Sequence, residues 1–351
     1  MTALFCVRPA TRNIGNDAIN RGVAMLLQDT FGIDVGIVNI PALVGPQFGG
    51  FSSRQVYDMN RLAHGVVLGG GNLFENGQIS IDKQALAALQ PPMMMIGLSY
   101  GRIFDVRGEL SDRTDALHPD LIRQLAQKSM AILMRDRISC EHLNSIGVSN
   151  VELAGCPTMF LPETPAGAEK NETILVSVRH PGRMSVPAPL QWRVADQVRS
   201  IIAAIESRYG KVVKLACHDY ADIEFASAFD RTEFVYYDDV HTYFAALRSC
   251  RFNVTYPLHA FLPCLAFGTP SLHLSYDERG KNMIETADMA DWNVDLMARH
   301  DVTAAVMDKI EAAESFQTAR KQARPTIERF RKTTIEHLKK FKQHAMAHRL
   351  S

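Results

Sequence analysis

Residues 2–40 read TALFCVRPATRNIGNDAINRGVAMLLQDTFGIDVGIVNI. An apolar run (TALFCVRP) is followed by a turn with Asn, Gly and Asp, then by text with a helical period (NDAINRGVAMLLQDTFG), then by a second apolar run (DVGIVNI). Continuous apolar strands separated by amphipathic helices are the pattern of a parallel sheet covered on both faces. The pattern continues through RQVYDMNRLA, HGVVLGGG, PMMMIGLSYG, HPDLIRQLAQKSM, AILMRDR, EHLNSIG and NVELAG, which defines a first α/β domain over residues 1–160. Residues 161–172, LPETPAGAEKNE, have neither hydrophobic period and read as a linker. Alternation then resumes with TILVSVR, QWRVADQVRSIIAAIESRYG, VVKLACH, EFVYYD, TYFAALRSC, FNVTY, LHAFLPCLAFG and PSLHLSY. This second domain spans 173–315, and a basic helical segment follows over 316–351. The expected fold is α/β, with two doubly wound, Rossmann-like domains facing a cleft, where the C-terminal ends of both sheets line a ligand site.

Composition narrows the function classes. The chain has 351 residues, 46% hydrophobic and 22% charged, with a formal net charge of zero. A neutral balance removes the basic surplus on which bulk nucleic-acid binding depends, so no nucleic-acid partner is expected. Six cysteines, Cys6, Cys140, Cys156, Cys217, Cys250 and Cys264, are scattered without a CxxC pair or zinc-ligand spacing. They read as buried thiols of a reducing compartment, and no metal or other cofactor is expected. With no leader-like start and no membrane-length apolar run, the expected location is cytoplasmic. In the basic C-terminal segment Ile327, Phe330, Leu338 and Phe341 fall near one helical face. That stripe packs on the protein in one reading, and lies on a membrane surface in the other, making the protein peripheral at the inner face of the cell membrane.

The candidate site residues stand at strand ends. Asn13, Gly15, Asn16 and Asp17 separate the first strand from the first helix, where a tight turn and a helix cap leave backbone N–H groups for a ligand. Gly69, Gly70 and Gly71, followed by Asn72, permit close backbone approach but match neither a P-loop nor a dinucleotide fingerprint. Arg102 ends GLSYGR. In ILMRDRIS, Arg135, Asp136 and Arg137 read as a structural network between Asp136 and arginine. Arg179 ends the first strand of the second domain, and its planar fork suits a carboxylate or phosphate. His259 stands at a strand-to-helix junction, where a helix N-terminus favours an anion. Arg279 and Lys281 follow the next strand. Arg179, His259, Arg279 and Lys281 on consecutive strand ends describe a small, strongly anionic ligand.

The pieces NIGNDAI, GVVLGGGNLF, MIGLSYGR, MRDRIS with EHLNSIGV, AGCPTMFL, LVSVR and LHAFLPCLAFGTPSLHLSYDERGKNMIE, in order from about residue 13 to 285, resemble the polysaccharide pyruvyltransferase family. The last piece, with His259, Gly268, Pro270 and Tyr276, is the most specific. The resemblance implies a two-domain GT-B-like fold and transfer of a pyruvyl group from phosphoenolpyruvate to a sugar, commonly as a ketal. The acceptor would be a glycan or lipid-linked sugar of a cell-surface or exopolysaccharide precursor. It implies donor contacts from Arg179, Leu258 and His259, with Arg279 standing where a lysine is usual after Tyr-Asp; Lys281 joins the donor-binding set by its position at the same strand end. The family usually shows Arg-Leu-His where this chain has Pro257-Leu258-His259, so one donor arginine is absent.

Such chemistry needs cations to hold three negative charges, a role for Arg179, Arg279 and Lys281. It also needs one group to shuttle a proton, a role for His259 with Asp17 as base. Acceptor contacts are expected from Asn13, Asp17, Gly70, Asn72 and Arg102, with domain closure excluding water. Two alternatives stand beside this reading. One is a GT-B-like glycosyltransferase using a nucleotide sugar, with Glu285 on the ribose; the other is a non-catalytic glycan-binding homologue.

Overall fold

A computed structural model of the chain describes residues 2–45, 48–184, 186–296 and 301–348. The first half runs β1 (Thr2–Arg8), α1 (Ile14–Phe31), β2 (Val35–Pro41), α2 (Ser53–Leu62), β3 (Gly65–Gly71), α3 (Lys83–Ala87), β4 (Met93–Leu98), a small hairpin of β5 (Ile103–Phe104) and β6 (Leu110–Ser111), α4 (Pro119–Lys128), β7 (Ser129–Met134), α5 (Arg137–Ser145) and β8 (Val151–Leu153). The second half runs β9 (Ile174–Ser177), α6 (Trp192–Tyr209), β10 (Val213–Cys217), α7 (Tyr220–Ser227), β11 (Glu233–Tyr236), α8 (Val240–Ser249), β12 (Phe252–Thr255), α9 (Leu258–Phe267), β13 (Ser271–Ser275), α10 (Glu278–Thr286), β14 (Asn293–Asp295), α11 (Val302–Glu311) and α12 (Ser315–Ala347).

Each half carries a six-stranded parallel sheet, ordered β2-β1-β3-β4-β7-β8 in the first and β11-β10-β9-β12-β13-β14 in the second. The central strands explain this arrangement. β3 (GVVLGGG) and β4 (MMMIGL) are buried at every position, as are β9, β12 and β13. Strands without a polar face must be covered by helices on both sides. In each sheet the chain reverses its direction of winding once, between β1 and β3 and between β9 and β12. A doubly wound sheet opens a crevice at that switch point, outside the strands' C-terminal ends. The two switch points are therefore the natural site, and their loops carry Asn13, Asn72, Arg179 and His259.

The halves are tied by polar contacts as well as packing. The amide of Ile14, at the start of α1, donates to the carbonyl of His218 at 3.0 Å. Glu278 of α10 accepts from the backbone and side chain of Arg102, with the closest contact at 2.5 Å. The first amides of α5 donate to Asn282 and Thr286 of α10. A helix of 33 residues, α12, then returns from the second domain to the first. Near its start Phe316 packs edge-on to Trp292 of the second domain, and near its end Phe341 packs edge-on to Phe31 of the first. A Cβ on Gly65 would come within 2.7 Å of Phe341, and one on Gly155 within 2.7 Å of Phe330, so both glycines make room for the phenylalanines of α12.

The apolar stripe of α12 thus faces the protein: Phe330, Leu338 and Phe341 are buried and Ile327 packs on the core. Those four residues are therefore taken up by packing on the protein, as in the first reading of that segment. Its last residues, 349–351, lie outside the described part. Among the described residues no helix is long and apolar enough to cross a membrane.

Candidate functional site

The C-terminal ends of both sheets enclose a cavity of about 430 Å³. The first domain contributes Asn13, Asn16, Asn72, Glu75, Arg113 and Arg135 to its wall; the second contributes Arg179, Arg183, Asp219, Leu258, His259, Tyr276 and Arg279. The wall is polar, and arginines outnumber carboxylates on it.

His259 occupies the first turn of α9. Pro257 precedes that helix and gives it no side-chain cap, so its first N–H groups are left for other partners. An uncapped helix N-terminus attracts negative charge. The ring of His259 is half-buried, and its Nδ1 has no hydrogen-bond partner. Burial holds its pKa well below the usual histidine range, helped by the positive charges of Arg135, Arg279 and Arg179 and by His218. The ring rests on Gly15 in the first turn of α1, where a Cβ would come within 2.4 Å of it. The expectation that Gly15 serves a tight turn is corrected here: it is helical, and its missing side chain is what lets the histidine approach from the other domain.

Arg179 leaves the end of β9 beside two carboxylates, Asp222 at 3.8 Å and Asp219 at 3.9 Å. Neither is a hydrogen bond, so its buried Nη1 has ion-pair neighbours but no hydrogen-bond partner. Asp222 accepts instead from the amides of His180, His218 and Asp219 at 2.8–3.0 Å, which pins the loops after β9 and β10 together beneath the arginine. Burial raises the pKa of Asp222, while Arg179 and these amides oppose the shift. Arg279, in the first turn of α10, donates to Glu75 at 2.9 Å and to Asp277 at 3.0 Å. Gly101 lets it in, since a Cβ there would come within 2.7 Å of the arginine's own Cβ. Burial pushes up the pKa of Glu75, against the pull of Arg279 and Arg113.

Of the residues expected at the site, Asn13, Asn72, Arg179, Leu258, His259 and Arg279 line the cavity. The others do not. Lys281 points from α10 to Asp295 at 3.3 Å, because two residues along a helix turn a side chain to another face. Arg102 is held by Glu278 as a tie between the domains. Gly70, with φ +72, packs against Ile19 of α1, and a Cβ there would meet that side chain at 2.4 Å. Asp17 faces a second cavity of about 370 Å³, shared with Arg12, Tyr220, Tyr236 and Asp238 and adjoining the first through Thr11. Arg8 pairs with Asp17 at 3.3 Å, and burial raises the carboxyl's pKa against that pull. Asp136 spends its oxygens on Ser139, at 2.8 Å to both the amide and the hydroxyl, rather than on an arginine. Burial raises its pKa to about 6, against the pull of the Ser139 hydrogen bonds and of Arg135 and Arg279. Glu75, Arg113, Asp219 and Asp222 had drawn no attention in the sequence. Only Asp219 and Asp222 carried a signal, as the capping pair at the start of a helix. Among the described residues no group of three or more His, Cys, Asp or Glu side chains could hold a metal ion.

Two α/β domains with a polar cleft between their switch points define the architecture of GT-B transferases and epimerases. Solved structures agree on the fold. A putative UDP-N-acetylglucosamine 2-epimerase from Listeria monocytogenes matches with TM-score 0.56 and 11% identity over 91% of each chain. AviGT4, a glycosyltransferase involved in avilamycin A biosynthesis, matches with TM-score 0.55 and 11% identity over 99% of this chain and 98% of its own. The UDP-GlcNAc 2-epimerase of Methanocaldococcus jannaschii, in complex with UDP-GlcNAc and UDP, matches with TM-score 0.52 and 12% identity over 89% of this chain and 92% of its own. No curated protein matches the sequence. The model of the polysaccharide pyruvyl transferase family matches residues 13–278, and the chain belongs to that family. It is a transferase.

Proposed function

We propose that the protein transfers a pyruvyl group from phosphoenolpyruvate to a sugar hydroxyl pair of a glycan or lipid-linked precursor. The observation that carries this reading is His259 on the uncapped start of α9, beside Arg179 whose Nη1 makes no hydrogen bond, in a cavity rich in arginine. The donor brings three negative charges and an enol carbon that needs a proton, and the wall offers arginines for the first and a histidine for the second. A helix N-terminus and preorganised guanidinium groups stabilise the anion without reorganising during reaction.

In the reaction one sugar hydroxyl adds to C2 of the enol phosphate and loses its proton, while a proton reaches C3. The second hydroxyl then attacks C2, the C–O bond to phosphate breaks, and that hydroxyl's proton leaves with the phosphate. His259 delivers the proton to C3 and recovers one from the incoming hydroxyl. In the free protein burial and the neighbouring arginines hold its pKa well below the usual histidine range, which disfavours the charged, proton-donating form. A trianion beside it offsets the arginines that depress its pKa, so donor binding charges the histidine as catalysis requires. The acceptor enters from the adjoining cavity, where Tyr220 and Tyr236 offer ring faces and Asp17 a carboxylate. Asn13 and Asn72, on the donor cavity's own wall, hold the hydroxyls near C2.

Phosphorus NMR of phosphoenolpyruvate mixed with the protein and a panel of diol-bearing sugar acceptors tests this. One acceptor should release inorganic phosphate stoichiometrically with ketal formation, and Arg179→Ala and His259→Ala should abolish the release. Release of a nucleotide from a UDP-sugar, with phosphoenolpyruvate untouched, would replace this reading with glycosyl transfer.

A further inference from the structure

Arg135 follows β7 in MRDRIS, on the first domain, and its surroundings differ from those of its neighbours. It lines the cavity while being only 1% exposed. Its Nη2 donates to the hydroxyl of Ser99, but Nε and Nη1 are buried with no hydrogen-bond partner. Of the other arginines on the cavity wall, Arg183 is exposed, and the remaining three each have a carboxylate: Arg279 has Glu75 and Asp277, Arg113 has Asp115 at 2.8 Å, and Arg179 has Asp219 and Asp222. Among the described residues Arg135 has no carboxylate within 4.0 Å, and its chain neighbour Asp136 is turned to Ser139. Glu75 and Asp136 lie near enough to feel its charge, but a buried guanidinium with no ion-paired carboxylate and two unmade hydrogen bonds is costly, since buried donors are otherwise almost always satisfied.

We propose that Arg135 is an oxyanion ligand, so that the phosphate of the bound donor is clamped between Arg135 on the first domain and Arg179 with the start of α9 on the second. This rests on the reading of the preceding subsection for the donor's identity, but the arginine's need of an anion stands apart from it. Pro257 brings no charge to the start of α9, and Arg135 supplies a cation from the facing wall instead. A ligand that both domains hold also couples binding to their closure. The charge that makes the free protein less stable is the charge that binds.

That trade separates a ligand from a structural arginine. Arg135→Met and Arg135→Lys are compared with the unaltered chain by thermal melting and calorimetry, with inorganic phosphate and phosphoenolpyruvate as probes. Removing a buried charge that makes no ion pair should leave the melting temperature of free Arg135→Met equal or higher, while its affinity for both probes falls at least tenfold. Arg135→Lys, which keeps the charge but loses the planar fork, should bind both at an intermediate level. An Arg135→Met protein that melts lower or fails to fold would overturn the proposal, as would unchanged phosphate affinity. If phosphoenolpyruvate binds tightly and ignores Arg135 while Arg179→Ala abolishes it, this inference fails and pyruvyl transfer stands. If phosphate needs Arg135 but phosphoenolpyruvate binds no better than phosphate, the anion site stands and pyruvyl transfer fails.

Discussion

His259 has a ring nitrogen without a hydrogen bond, and burial and surrounding positive charge both lower its pKa and so disfavour its charged form until an anion arrives. Donor binding should therefore take up a proton, and donor affinity should weaken as pH rises through the histidine's value in the complex. Titration in buffers of different ionisation enthalpy measures the uptake, and His259→Gln should remove its share of it. Transfer by that variant should fall roughly 10²- to 10⁴-fold, the usual worth of a positioned general acid. His218 gives a second pH effect, on stability. It is buried with both ring nitrogens unpartnered, against the ring of Tyr243, and its pKa is lowered to about 3. The unfolded chain takes up this proton near pH 6.5 and the native protein does not. Its contribution is thus fully present above pH 6.5 and is lost at up to about 1.4 kcal/mol per pH unit as the pH falls towards 3. Urea melts of His218→Phe should show a shallower acid slope than the unaltered chain. Arg179 and His259 were legible in the sequence because a strand end in a doubly wound sheet fixes which edge a residue reaches. Lys281 and Arg102 were misplaced because strand-end position does not give the direction of a side chain on the following turn. Arg135 was hidden for a different reason: MRDRIS suggests a pair with Asp136, and only the fold turns that carboxylate to Ser139.

Among the elements, α1 and α9 meet through one glycine. Gly15→Ala would put a methyl where the His259 ring lies, and the two elements cannot both keep their places. Steady-state kinetics should show at least a tenfold loss of transfer, with far-UV circular dichroism unchanged because Gly15 has ordinary helical geometry. At the far end of the chain, α12 holds the first domain by Phe330 and Phe341. Phe341→Ala should cost about 3–5 kcal/mol, as buried phenylalanine truncations do, measured by chemical denaturation. The main strands and helices were readable from their periods, since fully apolar strands and 3.6-residue stripes dominate this text. The hairpin of β5 and β6 was not, because two-residue strands have no period to read. The apolar stripe of α12 was visible too, but whether it met protein or lipid depended on Gly65 and Gly155 in the other domain.

For the whole molecule, each sheet places its switch point against the other, and the cavity lies where the two meet. Domain contacts and ligand contacts share residues there: Arg279 lines the cavity and also joins the domains through Glu75. Glu75→Gln should leave Arg279 with less counter-charge, at a cost of up to about 3–5 kcal/mol in urea denaturation. The measurement that tests the central claim most directly is calorimetric titration of phosphoenolpyruvate, in two buffers, into the unaltered chain and into Arg179→Ala and His259→Gln. Saturable binding with proton uptake, abolished by Arg179→Ala and stripped of its histidine-linked uptake by His259→Gln, is the predicted result. No binding of phosphoenolpyruvate, with a UDP-sugar saturating the same protein, would contradict it.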